Sequence, residues 1–214
     1  MNLSEFEAEF SQLGSNYKTK DVDRFNRTLI KRQEDVSFLK DIVLSKQEYH
    51  RTYFQVSLAE KKGIEEKFAF IEENFDKLQD WWHVDQLSQF VDKELTFDFG
   101  YEKAKVYVQS ELPFARRWGY VLFMPSLVKE VCAAEKIFPL FKDDDEYYVQ
   151  MAEAWLISYL GIYEPEKGFK RFVIPSESAG IGKSVLKKFA KTISKENMCK
   201  QSEIEQKTNA YGWI

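Results

Sequence analysis

The sequence predicts an all-α protein, and three of its features support this prediction. Apolar residues recur every three or four positions, which is the period of a helix buried on one face; the clearest series is Ile64, Phe68, Ile71, Phe75 and Leu78. Sustained alternation of apolar and polar residues, the pattern of a strand, is nearly absent. Glycine and proline stand between the periodic segments rather than inside them. We therefore expect ten to twelve helices and no sheet.

The predicted helices follow one another in short segments. Periodic series at 3–13, 22–29 and 36–43 open the chain, with a loop expected at 14–20. Two clear helix pairs come later, 63–78 with 80–91 and 146–162 with 165–172, each joined by a tight polar turn. Paired helices that cannot bury their own apolar faces stack on the next pair. We expect a right-handed superhelical solenoid of about six HEAT-like antiparallel helix pairs, in a single domain over 1–214 whose tail, 198–214, frays.

Composition limits the class of protein. The chain has 214 residues, of which 44% are hydrophobic and 16% aromatic, so it can build a large core. No apolar run approaches the ~18 residues that cross a bilayer, and the first residues lack the pattern of a signal peptide. We expect a cytoplasmic monomer. Neither the pair Cys132 and Cys199 nor the pair His50 and His83 has metal-ligand spacing, so no metal is predicted.

Charge argues against a protein that binds nucleic acid over its whole surface, because the formal net charge is −4. Local distribution is a different matter, since phosphate contacts need only one basic groove. Two basic series at helical spacing could flank such a groove: Arg24, Arg27 and Lys31, and Lys183, Lys187 and Lys191. The alternative is that both series are solvated outer faces of amphipathic helices.

The segment that contains Trp81 and Asp85 is the strongest candidate for a functional site. Trp81 and Asp85 lie four residues apart, so on a helix they project from one face. An aromatic wall beside a carboxylate suits a cation. Trp155 offers a second indole later in the chain. The alternatives are that the tryptophans are core residues and that Asp85 pairs with Arg116 or Arg117.

Three segments together resemble a known family, the DNA alkylation repair proteins of the AlkD type, which are HEAT-like repeat DNA glycosylases. The matching segments are Lys77–Asp85, Ser110–Tyr120 and Asp145–Trp155, and their order and spacing agree with the family. The similarity runs from about Lys31 to Ile193, so residues 1–30 form a divergent N-terminal part.

The resemblance implies removal of N3- and N7-alkylated purines from double-stranded DNA, without a metal or a cofactor. By position, Asp85 resembles the carboxylate that stabilises the oxocarbenium-like sugar, and Trp81 and Trp155 resemble the aromatic walls against the deoxyribose. Arg117, with Arg116 beside it, resembles a phosphate contact. The family is thought to trap its lesion without a base-reading pocket, so no such pocket is expected here.

A second function remains open from the sequence. The chain carries net negative charge, its N-terminal part differs from the family, and Ser158 stands three residues after Trp155 where a basic residue is usual. These features favour a non-catalytic HEAT-like protein that binds DNA or another protein, with weakened or lost glycosylase activity.

Overall fold

The computed structural model describes residues 1–124 and 126–163, and within these residues the chain is helical with no strand. Nine α-helices lie in this part of the chain: α1 (Leu3–Ser11), α2 (Thr19–Arg32), α3 (His50–Ala59), α4 (Ile64–Glu72), α5 (Trp81–Val91), α6 (Phe97–Tyr107), α7 (Pro113–Val121), α8 (Ala133–Ile137) and α9 (Tyr147–Tyr163). Over these residues the all-α prediction is confirmed. The arrangement as six HEAT-like pairs stays a prediction, and segments 165–172 and 198–214 lie outside the described residues.

The chain is organised in two compact units. The first runs from Met1 to Glu94 and contains α1 to α5, and the second begins at Leu95 and contains α6 to α9. None of the described helices is both long enough and apolar enough to cross a membrane. The prediction of a single domain over 1–214 stays a prediction.

The core of the first unit combines an aromatic cluster with helix packing. The ring of Tyr49 lies 5.0 Å from the rings of both Phe6 and Phe10 in edge-to-face geometry, which joins α1 to the turn before α3. Helix α3 packs against both α2 and α5. These contacts fix α5, the helix that carries Trp81 and Asp85, within this unit.

The series at 36–43 shows where periodicity and helix formation separate. Val36, Leu39 and Val43 are all buried, as their spacing predicts. The backbone, however, forms only a 3-10 turn at Ser37–Leu39. The Asp35 carboxylate accepts hydrogen bonds from the backbone N–H of Ser37 at 2.8 Å and from its hydroxyl at 2.9 Å. Such local bonding of Asp to the backbone favours a turn over a continuous helix.

Helix α7 lies at the centre of the second unit, where it packs against α6 and α9. Its Trp118 side chain is fully buried. Gly119 allows the close approach to α6, since a Cβ at this position would lie 2.8 Å from Cγ1 of Val108 and 3.2 Å from its backbone nitrogen. The face of α7 that bears Trp118 therefore packs in the core of the second unit.

Candidate functional site

Helix α5 is capped by Asp80, and its candidate functional residues lie on its outer face. The Asp80 carboxylate accepts a hydrogen bond from the N–H of Trp81 at 2.7 Å and so satisfies one backbone donor at the start of the helix. Val84, Leu87 and Val91 are buried on the inner side. The outer side therefore presents Trp81, which is 46% exposed, and Asp85, which is half-buried.

Trp81 and Asp85 line the same cleft of the first unit, which has a volume of about 640 Å³. The cleft lies between the outer face of α5, the N-terminal end of α2 and the start of α3. Its other lining residues are Tyr17, Lys18, Thr19, Val22, Glu48, Arg51, Trp82, Gln86 and Gln89. The Trp81 indole is thus placed at a ligand-sized opening rather than in the core.

Arg51 ties the three helices around the cleft together. Its Nε donates to Oδ1 of Asp23 on α2 at 2.7 Å, and its Nη1 and Nη2 donate to the amide oxygens of Gln86 and Gln89 on α5 at 3.3 and 3.2 Å. The guanidinium also lies 5.3 Å from the centre of the Phe90 ring. Because Asp23 neutralises this arginine, Arg51 acts in the unit mainly as a clamp.

Two histidines, His50 at the start of α3 and His83 on α5, form a stacked pair between these helices. The rings of His50 and His83 are 3.6 Å apart and nearly parallel, at 5°. Nε2 of His50 donates to the carbonyl oxygen of Lys77 at 3.2 Å, while its Nδ1 accepts from the Gln86 amide at 2.8 Å. Nδ1 of His83 accepts from the N–H of Gln79 at 3.1 Å. Both rings are therefore neutral and hold α5 onto α3.

Burial explains why these imidazoles stay neutral. Desolvation, with a smaller contribution from the neighbouring His83, lowers the pKa of His50 to about 2. Desolvation lowers the pKa of His83 to about 4. Among the described residues, no cluster of three or more His, Cys, Asp or Glu side chains is arranged to hold a metal ion. The two histidines are far apart along the chain, but the fold stacks their rings face to face.

Trp155 belongs to the second unit, on α9. Its side chain is half-buried and its ring lies 6.1 Å from that of Tyr159. Ser158, on the next turn, is fully buried, and its hydroxyl donates to the carbonyl oxygen of Trp155 at 2.6 Å. Ser158 therefore has a structural role in α9 and supplies no surface contact.

The two arginines predicted as DNA contacts on α7 are engaged within the second unit. Nε and Nη2 of Arg116 donate to the two carboxylate oxygens of Asp144 at 2.6 and 3.1 Å, and its Nη1 donates to the carbonyl oxygen of Ser110 at 2.9 Å. Arg117 is only 3% exposed, and its Nη1 donates to the carbonyl oxygen of Tyr148 at 2.6 Å. Each guanidinium holds backbone or carboxylate oxygens in place.

The basic series on α2 has the opposite character, because Arg24, Arg27 and Lys31 are all exposed. Arg24 lies 3.5 Å from Asp21, one turn earlier, in a contact that solvent weakens. The second basic series, Lys183, Lys187 and Lys191, lies outside the described residues.

Sequence reasoning misses most of the residues that surround the cleft. Gln89 could have been found, since it continues the four-residue spacing of Trp81 and Asp85 along one helix face. Arg51 and Tyr17 could not, because they reach the cleft from other elements and no spacing within the chain reports that approach.

Comparison with known proteins places the chain in a family. Residues 16–177 match the sequence model of the family described as DNA alkylation repair enzyme, and these residues make up most of the chain. The chain belongs to this family. No individual curated protein and no solved structure gives a significant match.

Proposed function

We propose that this protein is a DNA glycosylase that releases N3- and N7-alkylated purines from double-stranded DNA. The observation that carries this proposal is that Trp81 and Asp85 line one cleft, with the indole 46% exposed. A tryptophan kept for packing is buried, as Trp118 is. Membership of the alkylation repair family supports DNA as the substrate.

The proposed chemistry follows from the charge of the lesion. An alkylated purine is already cationic and leaves without being protonated, so positive charge moves onto the deoxyribose as the glycosidic bond breaks. A carboxylate next to the sugar stabilises this oxocarbenium-like charge and can orient the attacking water. We assign this role to Asp85. The face of the Trp81 indole adds about 1–2 kcal/mol of cation–π stabilisation in a desolvated site. No metal and no cofactor are needed for these steps.

The proposed phosphate contacts of the first unit are Arg24, Arg27 and Lys31, because their charges are exposed. Trp155, in the second unit, keeps its predicted role as an aromatic contact to a deoxyribose. Arg116 and Arg117, predicted as phosphate contacts, would have to leave Asp144 and the carbonyl oxygen of Tyr148 to reach a phosphate. Lys183, Lys187 and Lys191 keep their predicted role as a second basic series.

A base-release assay tests this proposal. Purified protein is incubated with methylated duplex DNA, and free 7-methylguanine is measured by mass spectrometry. We expect release by the wild type and a roughly 100- to 1000-fold slower rate for Asp85→Asn, because the substitution removes the stabilising charge. Asp98→Asn removes the same charge from the exposed start of α6 and serves as the matched control. Absence of release by the wild type, or equal rates for both variants, would refute the proposal.

One observation favours the second candidate function, a DNA-binding protein that has lost glycosylase activity. Arg116, Arg117 and Ser158 are all used for internal contacts of the second unit. Such a protein predicts weak DNA binding with a shallow dependence on salt, since few counterions are released. A steep salt dependence counts against this candidate.

A further inference from the structure

Arg51 contacts helix α5 at two points beside Asp85. Its Nη1 donates to the amide oxygen of Gln86 at 3.3 Å and its Nη2 donates to that of Gln89 at 3.2 Å. Gln89 lies four residues after Asp85 and shares its helix face, whereas Gln86 directly follows Asp85 and is buried. One rigid, planar guanidinium thus holds two positions at different angles around the helix axis. Arg51 therefore fixes the rotation of α5 and, with it, the direction in which the Asp85 side chain leaves the helix.

The contact with Gln86 belongs to a hydrogen-bond chain whose direction is fixed at every step. The Gln86 oxygen accepts from Arg51, so its amide nitrogen donates to Nδ1 of His50 at 2.8 Å. Nε2 of His50 must then carry the ring hydrogen, and it donates to the carbonyl oxygen of Lys77 at 3.2 Å. Lys77 ends the 3-10 turn that precedes α5. Arg51 thus determines the orientation of the Gln86 amide and the tautomer of His50.

Asp23 holds the guanidinium of Arg51 from the opposite side. Nε of Arg51 donates to Oδ1 of Asp23 at 2.7 Å, and both side chains are largely shielded from solvent. Such a charge-assisted bond is stronger than one between neutral groups. Asp23 lies on α2, next to Arg24, which is one of the residues assigned above to phosphates. Arg51 therefore links the helix proposed to contact DNA with the helix that carries Asp85.

We propose that Arg51 is a positioning residue for Asp85, held by Asp23 and acting through its bonds to Gln86 and Gln89. The inference rests on the proposed glycosylase function and deepens it. Arg51 needs no contact with the reacting atoms in this role, because it acts only by placing α5. Placement has a large effect on catalysis by a fixed charge, since a displacement of about 1 Å can slow a reaction about 100-fold.

Arg51→Lys tests the inference in the base-release assay. Lysine keeps a positive charge for Asp23 but cannot donate to two amides in one fixed plane. We expect kcat to fall about 10- to 100-fold while KM for methylated duplex changes by less than about two-fold, because the exposed charges of α2 are intact. Arg32→Lys is the matched control, since Arg32 donates to both carboxylate oxygens of Glu9 at 3.1 and 3.0 Å and does not line the cleft. Equal kcat values for the two variants would overturn the inference.

A double-mutant cycle with Asp85→Asn separates positioning from a general structural role. If Arg51 acts through the charge of Asp85, Arg51→Lys should slow the Asp85→Asn protein by less than about two-fold. An arginine needed only for folding would slow both backgrounds by the same factor, and that result overturns the inference. Gln89→Leu is a second, milder variant, because Gln89 is exposed and its loss removes only one contact of Arg51. It should slow release about two- to five-fold and only when Asp85 is present.

Binding to a duplex that carries a cationic azasugar, compared with a neutral tetrahydrofuran duplex, repeats the test without bond cleavage. Arg51→Lys should lower the preference for the cationic duplex about three- to ten-fold, whereas Arg32→Lys keeps it. A protein that releases base, with a rate and a preference that Arg51→Lys leaves unchanged, overturns the positioning role and leaves the glycosylase intact. A protein whose preference depends on Arg51 only when Asp85 is present, but that releases no base, supports the positioning role and refutes the glycosylase.

Discussion

Helices α5 and α7 each carry a tryptophan close to a charged residue, but these residues are exposed to a cleft on α5 and buried on α7. On α5, Trp81 is 46% exposed and Asp85 lines a cleft. On α7, Trp118 is fully buried and the neighbouring Arg117 is 3% exposed. On α5 the aromatic residue and the charged residue therefore line a cleft, whereas on α7 they belong to the packed interior.

Backbone requirements account for the difference. The residues before α7 leave the carbonyl oxygens of Ser110 and Glu111 to be satisfied, and Arg116 donates to both. Before α5, the Asp80 carboxylate accepts from the N–H of Trp81, and Nε2 of His50 donates to the carbonyl oxygen of Lys77. Asp85 lies on the cleft side of the same helix. The contrast predicts that changes under α5 or on α7 alter stability, whereas changes on the outer face of α5 alter chemistry.

The largest expected effect concerns the histidine pair. Both imidazoles have folded-state pKa values lowered from 6.5, to about 2 for His50 and about 4 for His83. Unfolding lets them take up protons below their ordinary pKa, so the stability they contribute is present above pH 6.5 and is lost as the pH falls toward those values. Each should lower the free energy of unfolding by about 2 kcal/mol between roughly pH 6.5 and 5.

Urea unfolding at a series of pH values measures this loss. His83→Gln should reduce the slope of unfolding free energy against pH by about half, since one of the two titrating groups is gone. If the wild type is equally stable at both ends of this pH range, the neutral stacked pair is not the support that we assign to it.

The second effect distinguishes a structural arginine from a DNA contact. Arg116→Met should lower the free energy of unfolding by about 2 kcal/mol, because it breaks a largely buried bidentate pair with Asp144. The salt dependence of DNA binding should stay as in the wild type. A slope reduced by about one with unchanged stability would instead identify Arg116 as a phosphate contact.

Much of the fold can be predicted from the sequence, and the reason is visible at particular residues. The helix predicted at 80–91 is found at Trp81–Val91, and the helix predicted at 146–162 is found at Tyr147–Tyr163. Capping and periodicity are local properties, so the sequence reports them directly. The series at 36–43 is buried as predicted but forms a 3-10 turn, because Asp35 bonds to the backbone of Ser37.

Only the part of the candidate site that lies on one helix can be predicted from the sequence. Trp81 and Asp85 share one helix face, so their spacing suffices to group them. The stacking of His50 on His83 and the reach of Arg51 to Gln86 and Gln89 depend on how α3 packs against α5. No spacing along the chain encodes that packing.

The smallest expected effect concerns the exposed basic series on α2. Replacing Arg24 and Arg27 together by Gln should lower the slope of log affinity against log salt by about two, since each phosphate contact releases roughly one counterion. Lys40→Gln with Lys62→Gln removes two exposed charges of the first unit outside α2 and provides the control. Identical slopes for the two double variants would assign α2 to the solvated outer surface.

The central claim, that Asp85 stabilises positive charge on the sugar, is tested most directly with two synthetic duplexes. One carries a cationic azasugar that mimics the oxocarbenium ion, and the other carries a neutral tetrahydrofuran abasic site. The wild type should bind the cationic duplex about 10- to 100-fold more tightly, as transition-state mimics are bound, and Asp85→Asn should bring that ratio near one. Equal binding of the two duplexes by the wild type, or a ratio unchanged in Asp85→Asn, would contradict the account.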